Sequence, residues 1–192
     1  GDLQIVASHD DHDLILKCDD GSGGTTAYLT LDGSVGHTTV QKEMHFQDAV
    51  VARFGTDDDA QIVHSGNSLS MVNQTGNFNI VQNANDGDIT IQCDDGSGGT
   101  ATYITLDGSV VQTVFSKDAL FSDNVSLLIG NSNDFQVVHN ATDTQLNNFT
   151  GNLSIQQNTD DGDILLRADD GSGGLATYFY LDGSVGFNRF PY

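Results

Sequence analysis

One block of sequence recurs along this chain at a constant interval. The segment from Asp13 to Gly24 returns in related form at Asp88 and again at Asp163, which is a step of 75 residues each time. A constant step without insertions indicates that each copy is one structural unit and that the units stack along an axis. We therefore expect an elongated, fibre-like molecule and not an enzyme built around a single pocket.

The repeat also divides the chain into four segments. Residues 1–12 match residues 76–87, so the chain starts and stops inside a repeat, which predicts a piece of a longer array. The predicted segments are the end of a partial repeat at 1–12, complete repeats at 13–87 and 88–162, and a partial repeat at 163–192.

The charge of the chain excludes several classes of partner. The sequence has 27 Asp and Glu residues against 6 Lys and Arg residues, a formal net charge of −21. Nucleic-acid binding needs a basic surface for phosphate contacts, and anionic membranes attract basic segments, so we expect neither partner. No apolar run approaches the roughly 18 residues of a membrane helix, so membrane insertion is not expected either. Such acidity suits a soluble extracellular particle.

Alternating apolar and polar residues predict strands in every repeat. Leu14, Leu16 and Cys18 share one face of the first strand, and the same pattern returns in both later copies. This period of two is typical of a strand with one buried face. Cys93 repeats Cys18, but the third copy has Ala168 there, so we interpret both cysteines as small buried residues and not as disulfide partners.

An acidic, glycine-rich turn follows the first strand. The sequence Asp-Asp-Gly-Ser-Gly-Gly separates it from a second strand in which Leu29 and Leu31 face one side and Tyr28 faces the other. Glycine permits positive φ, and Asp and Ser side chains close local turns, so the pattern predicts a β-hairpin. A second turn is predicted at Asp32-Gly33-Ser34 and its copies.

The rest of the repeat predicts more short strands and no helix. Residues 39–48 are ambiguous and predict strand or irregular structure. Strands are predicted around Val50–Phe54, Gln61–His64 and Asn77–Ile80, with copies 75 residues later and a partial copy of the last one at Asp2–Ile5. Each repeat would then hold about six or seven strands, with frequent turns as in all-β proteins.

The short strands favour assembly of several chains. Apolar residues make up 37% of the chain, and each strand offers only two or three inward side chains. Short strands also leave unpaired edges that must be covered. An interwound homotrimer would cover both the apolar faces and the edges. The alternative is a single-chain β-solenoid, although its coils usually span about 20–30 residues and the 75-residue unit shows no such subdivision.

Two motifs are similar to a known family. Residues 86–109 and 161–184 share Asp-Gly-Asp-Ile, Asp-Asp-Gly-Ser-Gly-Gly and Leu-Asp-Gly-Ser at fixed spacing, and residues 54–66 recur at 129–141. These motifs resemble repeats in tail-fibre and other virion structural proteins of marine tailed bacteriophages. The resemblance implies a homotrimeric, β-rich fibre segment on a virion that serves as a shaft or as a host-contact module. It brings no catalytic residue with it.

The chain departs from this family at a few positions. Val63 and Val138 stand where the family often has an aromatic residue. Where the family often has Asp-Gly, the chain has Ser65-Gly66 and Asn140-Ala141.

Two sets of residues are candidates for ligand binding. Hard cations such as Ca²⁺ prefer several oxygen ligands from flexible loops, and the hairpin tips offer paired carboxylates. These carboxylates are Asp19, Asp20, Asp94, Asp95, Asp169 and Asp170. His64 and His139 occupy equivalent positions and would form rings of three near a trimer axis, although a hydrogen-bonded structural histidine also fits. No other cofactor is expected.

The sequence thus predicts a structural protein that is not an enzyme. The expected function is a fibre segment of a phage virion, with weak contacts to a cell-surface glycan multiplied over several chains. Its partners would be further copies of itself and other virion proteins. One alternative is an adhesin or filament protein that is secreted by a bacterium or displayed on its surface. The other is a tailspike-type glycan depolymerase, but no non-repeated acidic cleft is visible.

Overall fold

The protein folds entirely into β-strands, turns and irregular segments. The computed structural model describes residues 1–191, and this range contains fifteen strands and no helix. No helix in this part of the chain could therefore cross a bilayer. The all-β prediction is confirmed.

The chain divides into two compact units, of which the first is Gly1–Gln82 and the second begins at Asn83. The strands of the first unit are β1 (Leu14–Asp19), β2 (Thr25–Asp32), β3 (His37–Val40), β4 (Ala52–Phe54), β5 (Ala60–Ser65) and β6 (Ser68–Asn73). Those of the second unit are β7 (Ile89–Asp94), β8 (Thr100–Asp107), β9 (Gln112–Phe115), β10 (Ser126–Ile129), β11 (Phe135–His139), β12 (Thr144–Asn148), β13 (Ile164–Asp169), β14 (Leu175–Asp182) and β15 (Phe187–Arg189). Each complete repeat therefore contains six strands, which agrees with the prediction.

The strands form five separate antiparallel sheets. Each sheet contains three strands that are consecutive in sequence, with the middle strand paired to both neighbours. These are local meanders, which short turns can connect. A single-chain solenoid would pair strands of successive coils, so the observed pairing does not follow the solenoid alternative.

The first hairpin contains a bulge at the same place in all three copies. Leu16 pairs with Leu29, but the next residue, Lys17, pairs with Ala27, so that Tyr28 is an extra residue in β2. The register shifts in the same way in the two later copies. A bulge bends the strand and increases its local twist. Its threefold recurrence shows that the repeats share their geometry as well as their sequence.

Some predicted strands are absent from the chain. Residues 77–80, 152–155 and 2–5 have no regular structure, so the strand prediction is wrong there for the single chain. A strand needs a neighbour to pair with its backbone, and no described strand of the chain pairs with these residues. The ambiguous region resolves into β3, which ends at Val40, followed by an irregular segment up to Asp48.

The chain buries almost no side chain completely. Thr30 and Ala176 are the only buried residues in the described range, each 7% exposed. Cys18 and Cys93 are exposed, so the prediction that they are buried is wrong for the single chain. Both cysteines lie on an apolar strand face that is exposed in the single chain.

The exposed area is larger than that of globular proteins of the same mass. The chain exposes 15495 Å². Two independent globules of about 10 kDa each would together expose only about 10,600 Å². The surplus of about 4,900 Å² is several times the roughly 800 Å² that one partner buries in a standard interface.

Candidate interaction surfaces

The acidic hairpin tips are closed by their own carboxylates. Oδ1 of Asp20 accepts hydrogen bonds from the Ser22 amide at 2.8 Å, the Ser22 hydroxyl at 2.7 Å and the Gly24 amide at 3.0 Å. The neighbouring Asp19 accepts from the Gly21 amide at 3.0 Å. Asp95 and Asp170 repeat the three bonds of Asp20, and Asp94 and Asp169 repeat that of Asp19.

The glycines of the tip are required by its geometry. Gly21 and Gly23 adopt φ of 81° and 91°, in the left-handed region that disfavours other residues. Gly24 has another constraint, since a Cβ there would collide with the carboxylate of Asp20. The repeated Gly-Ser-Gly-Gly sequence is therefore explained by the turn itself.

Hydrogen bonds from the tip also change the acidity of these carboxyl groups. The Ser22 hydroxyl, followed by the amides of Ser22 and Gly24, lowers the pKa of Asp20 below its ordinary value of 3.8. The pKa values of Asp95 and Asp170 are lowered in the same way by Ser97 and Ser172. These groups are thus held as anions by their own loops.

A second carboxylate turn connects the second and third strands of the first sheet in each repeat, and it is also tied to the start of the first strand. Oδ1 of Asp32 accepts from the Ser34 hydroxyl at 2.7 Å and from the Ser34 amide at 3.0 Å, and the Ser34 hydroxyl lowers the pKa of Asp32. Asp13, at the start of β1, accepts from the Gly33 amide at 3.1 Å. Both later repeats contain the same pair of contacts.

The structure gives the predicted cation sites a structural role. In residues 1–191, no three or more His, Cys, Asp or Glu side chains are grouped as a metal site requires. Asp19 and Asp20, with their copies, each use one carboxylate oxygen to close the turn. Calcium binding at these tips stays a prediction.

The two predicted histidines hold an irregular segment against a sheet. His64 Nδ1 lies 2.9 Å from Asp48 Oδ1, and the His64 carbonyl accepts from the Ala49 amide at 2.8 Å. His139 Nε2 lies 4.0 Å from Asp123 Oδ1, and its Nδ1 lies 3.1 Å from the Thr144 hydroxyl. Both rings are about half exposed. Each histidine therefore has contacts within its own chain, and the axial ring stays a prediction.

An apolar pocket lies beside His64 and was missed by sequence reasoning. Its volume is about 710 Å³, and its wall includes Met44, Phe46, Ile62 and Leu69. A smaller pocket of about 200 Å³ occupies the equivalent place beside His139. The signal was the return of Phe46 and Val50 as Phe121 and Val125, and Phe46 lies in the region that the sequence left ambiguous.

An apolar face recurs on the first sheet of every repeat. The pairing of Leu16 with Leu29, and of Leu29 with Val40, places these residues on the same side of the sheet. We call this side the apolar face and define it by the exposed members of each copy. These are Leu16, Leu31 and Val40, then Ile91, Leu106 and Phe115, then Leu166, Leu181 and Phe190, and they are between 39% and 72% exposed.

The opposite side, which we call the polar face, has hydrogen-bonding partners within the chain. Gln41 donates to the Thr30 hydroxyl at 2.6 Å. In the later copies Gln92 donates to the Thr102 hydroxyl and Arg167 to the Thr177 hydroxyl, both at 3.2 Å. The two faces therefore differ in chemistry, since these side-chain hydrogen bonds lie on the polar face.

Comparisons of this chain with protein-family models, with curated proteins and with solved structures found no match.

Proposed function

We propose that this chain is a structural segment of a phage fibre, in which three copies wind around one another with their apolar faces inward. The observation that carries the proposal is the exposed apolar face, which recurs every 75 residues in a chain with almost no core. An exposed apolar patch that is larger than a few hundred Å² marks an interaction site. A patch that recurs every 75 residues suits a partner whose own patches recur at the same interval. Another copy of this chain is such a partner.

Three copies fit the repeated geometry well. Around a threefold axis, each apolar face meets the faces of both other copies, and no face is left over. Cyclic symmetry of this kind closes the assembly and prevents uncontrolled growth. The resemblance of residues 86–109 and 161–184 to phage fibre repeats supports the same number of chains.

The outward surface then consists mainly of polar groups, with Ile15 and Leu165 as exposed apolar residues among them. The polar face, the hairpin tips and Tyr28 with its two copies would point to solvent on all three chains. Tyrosine has an apolar ring and a polar hydroxyl, which suits contacts at a wet surface. Weak binding of a cell-surface glycan at many equivalent positions would give useful avidity. The fibre segment would thus act as a shaft or as a host-attachment module on the virion, outside the cell.

Immunoelectron microscopy tests the function directly. Antibodies raised against the chain should label tail fibres on phage particles, and the adjacent genes should encode capsid and baseplate proteins. Labelling of a bacterial surface filament, next to genes for a secretion system, would contradict the phage assignment and favour the filament alternative.

A glycan array tests the attachment role separately. Binding of a defined glycan above background, with a loss of signal when the protein is diluted to single chains, supports attachment. If no glycan binds above background, the attachment role is contradicted and only the shaft role remains. Shortening of host polysaccharide by the purified protein would contradict the structural assignment, because a fibre shaft needs no hydrolytic activity.

A further inference from the structure

Three equivalent segments have the sequence of strands but are not paired. We call residues 2–6, 77–81 and 152–156 the connector segments. Apolar residues alternate with polar ones in each, at Leu3 and Ile5, at Phe78 and Ile80, and at Leu153 and Ile155. Alternation of this kind is the usual pattern of a half-buried strand.

The connector segments are exposed in both side chain and backbone. Their alternating apolar side chains are between 54% and 90% exposed. Within the described part of the chain, no backbone hydrogen bond involves residues 2–6, 77–81 or 152–156. Their peptide groups are therefore left to solvent. If the apolar side chains become buried on assembly, the adjacent peptide groups need partners, because a buried unpaired peptide group is costly.

Two of the three connector segments, 77–81 and 152–156, also lie in neutral stretches of a highly charged chain, whereas the first contains Asp2. Residues 74–85 and 144–159 contain no charged side chain, although the whole chain carries a net charge of −21. Two copies of the chain could approach each other here with little local like-charge repulsion. Neutral, alternating and unpaired backbone is the arrangement that suits strand addition between chains.

We infer that the connector segments become β-strands only on assembly, by pairing their backbone with a neighbouring copy of this chain. The inference rests on the proposed self-assembly and identifies where the chains exchange main-chain hydrogen bonds. The second copy is the fitting partner because it presents the same neutral segments at the same 75-residue step. The chain's surplus of exposed area exceeds what such contacts require. In this arrangement Phe78 and Ile80 face the interior, and Asn77 and Asn79 face outward.

Hydrogen–deuterium exchange on the unmodified chain tests this pairing. Sedimentation velocity first identifies concentrations at which the protein is assembled and at which it is a single chain. In the assembled state, amides of residues 77–81 and 152–156 should exchange at least about tenfold more slowly than in the single chain. The loop-tip amides of Gly21 and Gly23 serve as an internal reference whose exchange should change little.

Two matched variants separate backbone pairing from side-chain packing. Ile80→Pro removes the amide hydrogen, whereas Ile80→Thr keeps it together with the β-branched shape. Ile80→Pro should raise the concentration needed for assembly at least about tenfold above that of Ile80→Thr.

The possible results distinguish this inference from the proposal on which it rests. Slow exchange in the connector segments of an assembled protein, together with a larger effect of Ile80→Pro, supports the pairing. An assembled protein whose connector amides exchange as fast as in the single chain overturns the pairing and leaves self-assembly standing. Equal effects of the two variants also overturn the pairing. A protein that never assembles overturns both.

Discussion

Truncation of the apolar face at equivalent positions should weaken assembly strongly. Leu16, Ile91 and Leu166 occupy one position in the three repeats and are 50%, 51% and 56% exposed. Complete burial of such a side chain contributes about 1.5–3 kcal/mol relative to full exposure. Each half-exposed side chain therefore has about 1 kcal/mol still to gain when another chain covers it.

The expected effect follows from the number of side chains that are lost. Substitution of all three residues by Ala changes nine side chains in a trimer, which amounts to about 9 kcal/mol of association free energy. Since 1.4 kcal/mol corresponds to a factor of ten, the association constant should fall about a millionfold. The association constant of a trimer has units of inverse concentration squared, so the midpoint concentration varies as its inverse square root and should rise about a thousandfold.

Sedimentation velocity over a concentration series measures that midpoint. The matched control replaces Tyr28, Tyr103 and Tyr178 by Ala. These tyrosines are large residues at one equivalent position of the repeat and are predicted to face outward. The control should shift the midpoint by less than about tenfold. An unchanged midpoint in the Leu16, Ile91 and Leu166 variant, or an equal shift in the control, would refute the argument that the apolar face is the interface.

Three further predictions concern thiols, acid and salt. Cys18 and Cys93 lie on the apolar face, so a thiol reagent should modify them rapidly in single chains and slowly in the assembly. A Lys17→Cys control, made without the native cysteines, should react equally fast in both states. Fast reaction of Cys18 in the assembly would contradict the inward orientation of the apolar face. The lowered pKa of Asp20 means that its stabilising effect is present above its ordinary pKa of 3.8 and is lost as the pH falls through the lower folded-state pKa. Asp20→Asn with its two repeat equivalents should therefore flatten the acid side of the thermal stability curve measured by circular dichroism, and an unchanged curve would contradict the role of the carboxylates. Assembly brings together chains of net charge −21, so raising the salt concentration should lower the midpoint of assembly in sedimentation; a rise would show that attraction between charges dominates.

The sequence predicted local structure well wherever both partners lie close together in the chain. The Asp-Asp-Gly-Ser-Gly-Gly tip, the strands on both sides of it and the Asp32-Gly33-Ser34 turn are confirmed. Each of these depends on contacts within about 20 residues, which the repeated pattern makes visible. The bulge at Tyr28 was not predicted, because alternation alone does not reveal one extra residue.

The wrong predictions share one physical cause. Cys18 was predicted to be buried, and Asn77–Ile80 was predicted to be a strand, because the pattern records the environment for which the residues are suited. In the single chain Cys18 is exposed and Asn77–Ile80 has no pairing partner. Both differences are explained if the missing contacts come from neighbouring chains.

The candidate site was predictable only in part. The acidic tips and the histidines were identified from their recurrence. Their contacts, such as the one between His64 and Asp48, depend on how an irregular segment folds back onto a sheet. No periodic pattern marks that segment, so the pocket beside His64 could be recognised only from the structure.

The mass of the protein in solution tests the central claim most directly. Light scattering coupled to size-exclusion chromatography should give three times the chain mass of 20.4 kDa at micromolar concentration. A mass of one chain at every concentration, with the strands still folded by circular dichroism, would contradict the claim that the apolar faces require neighbouring copies.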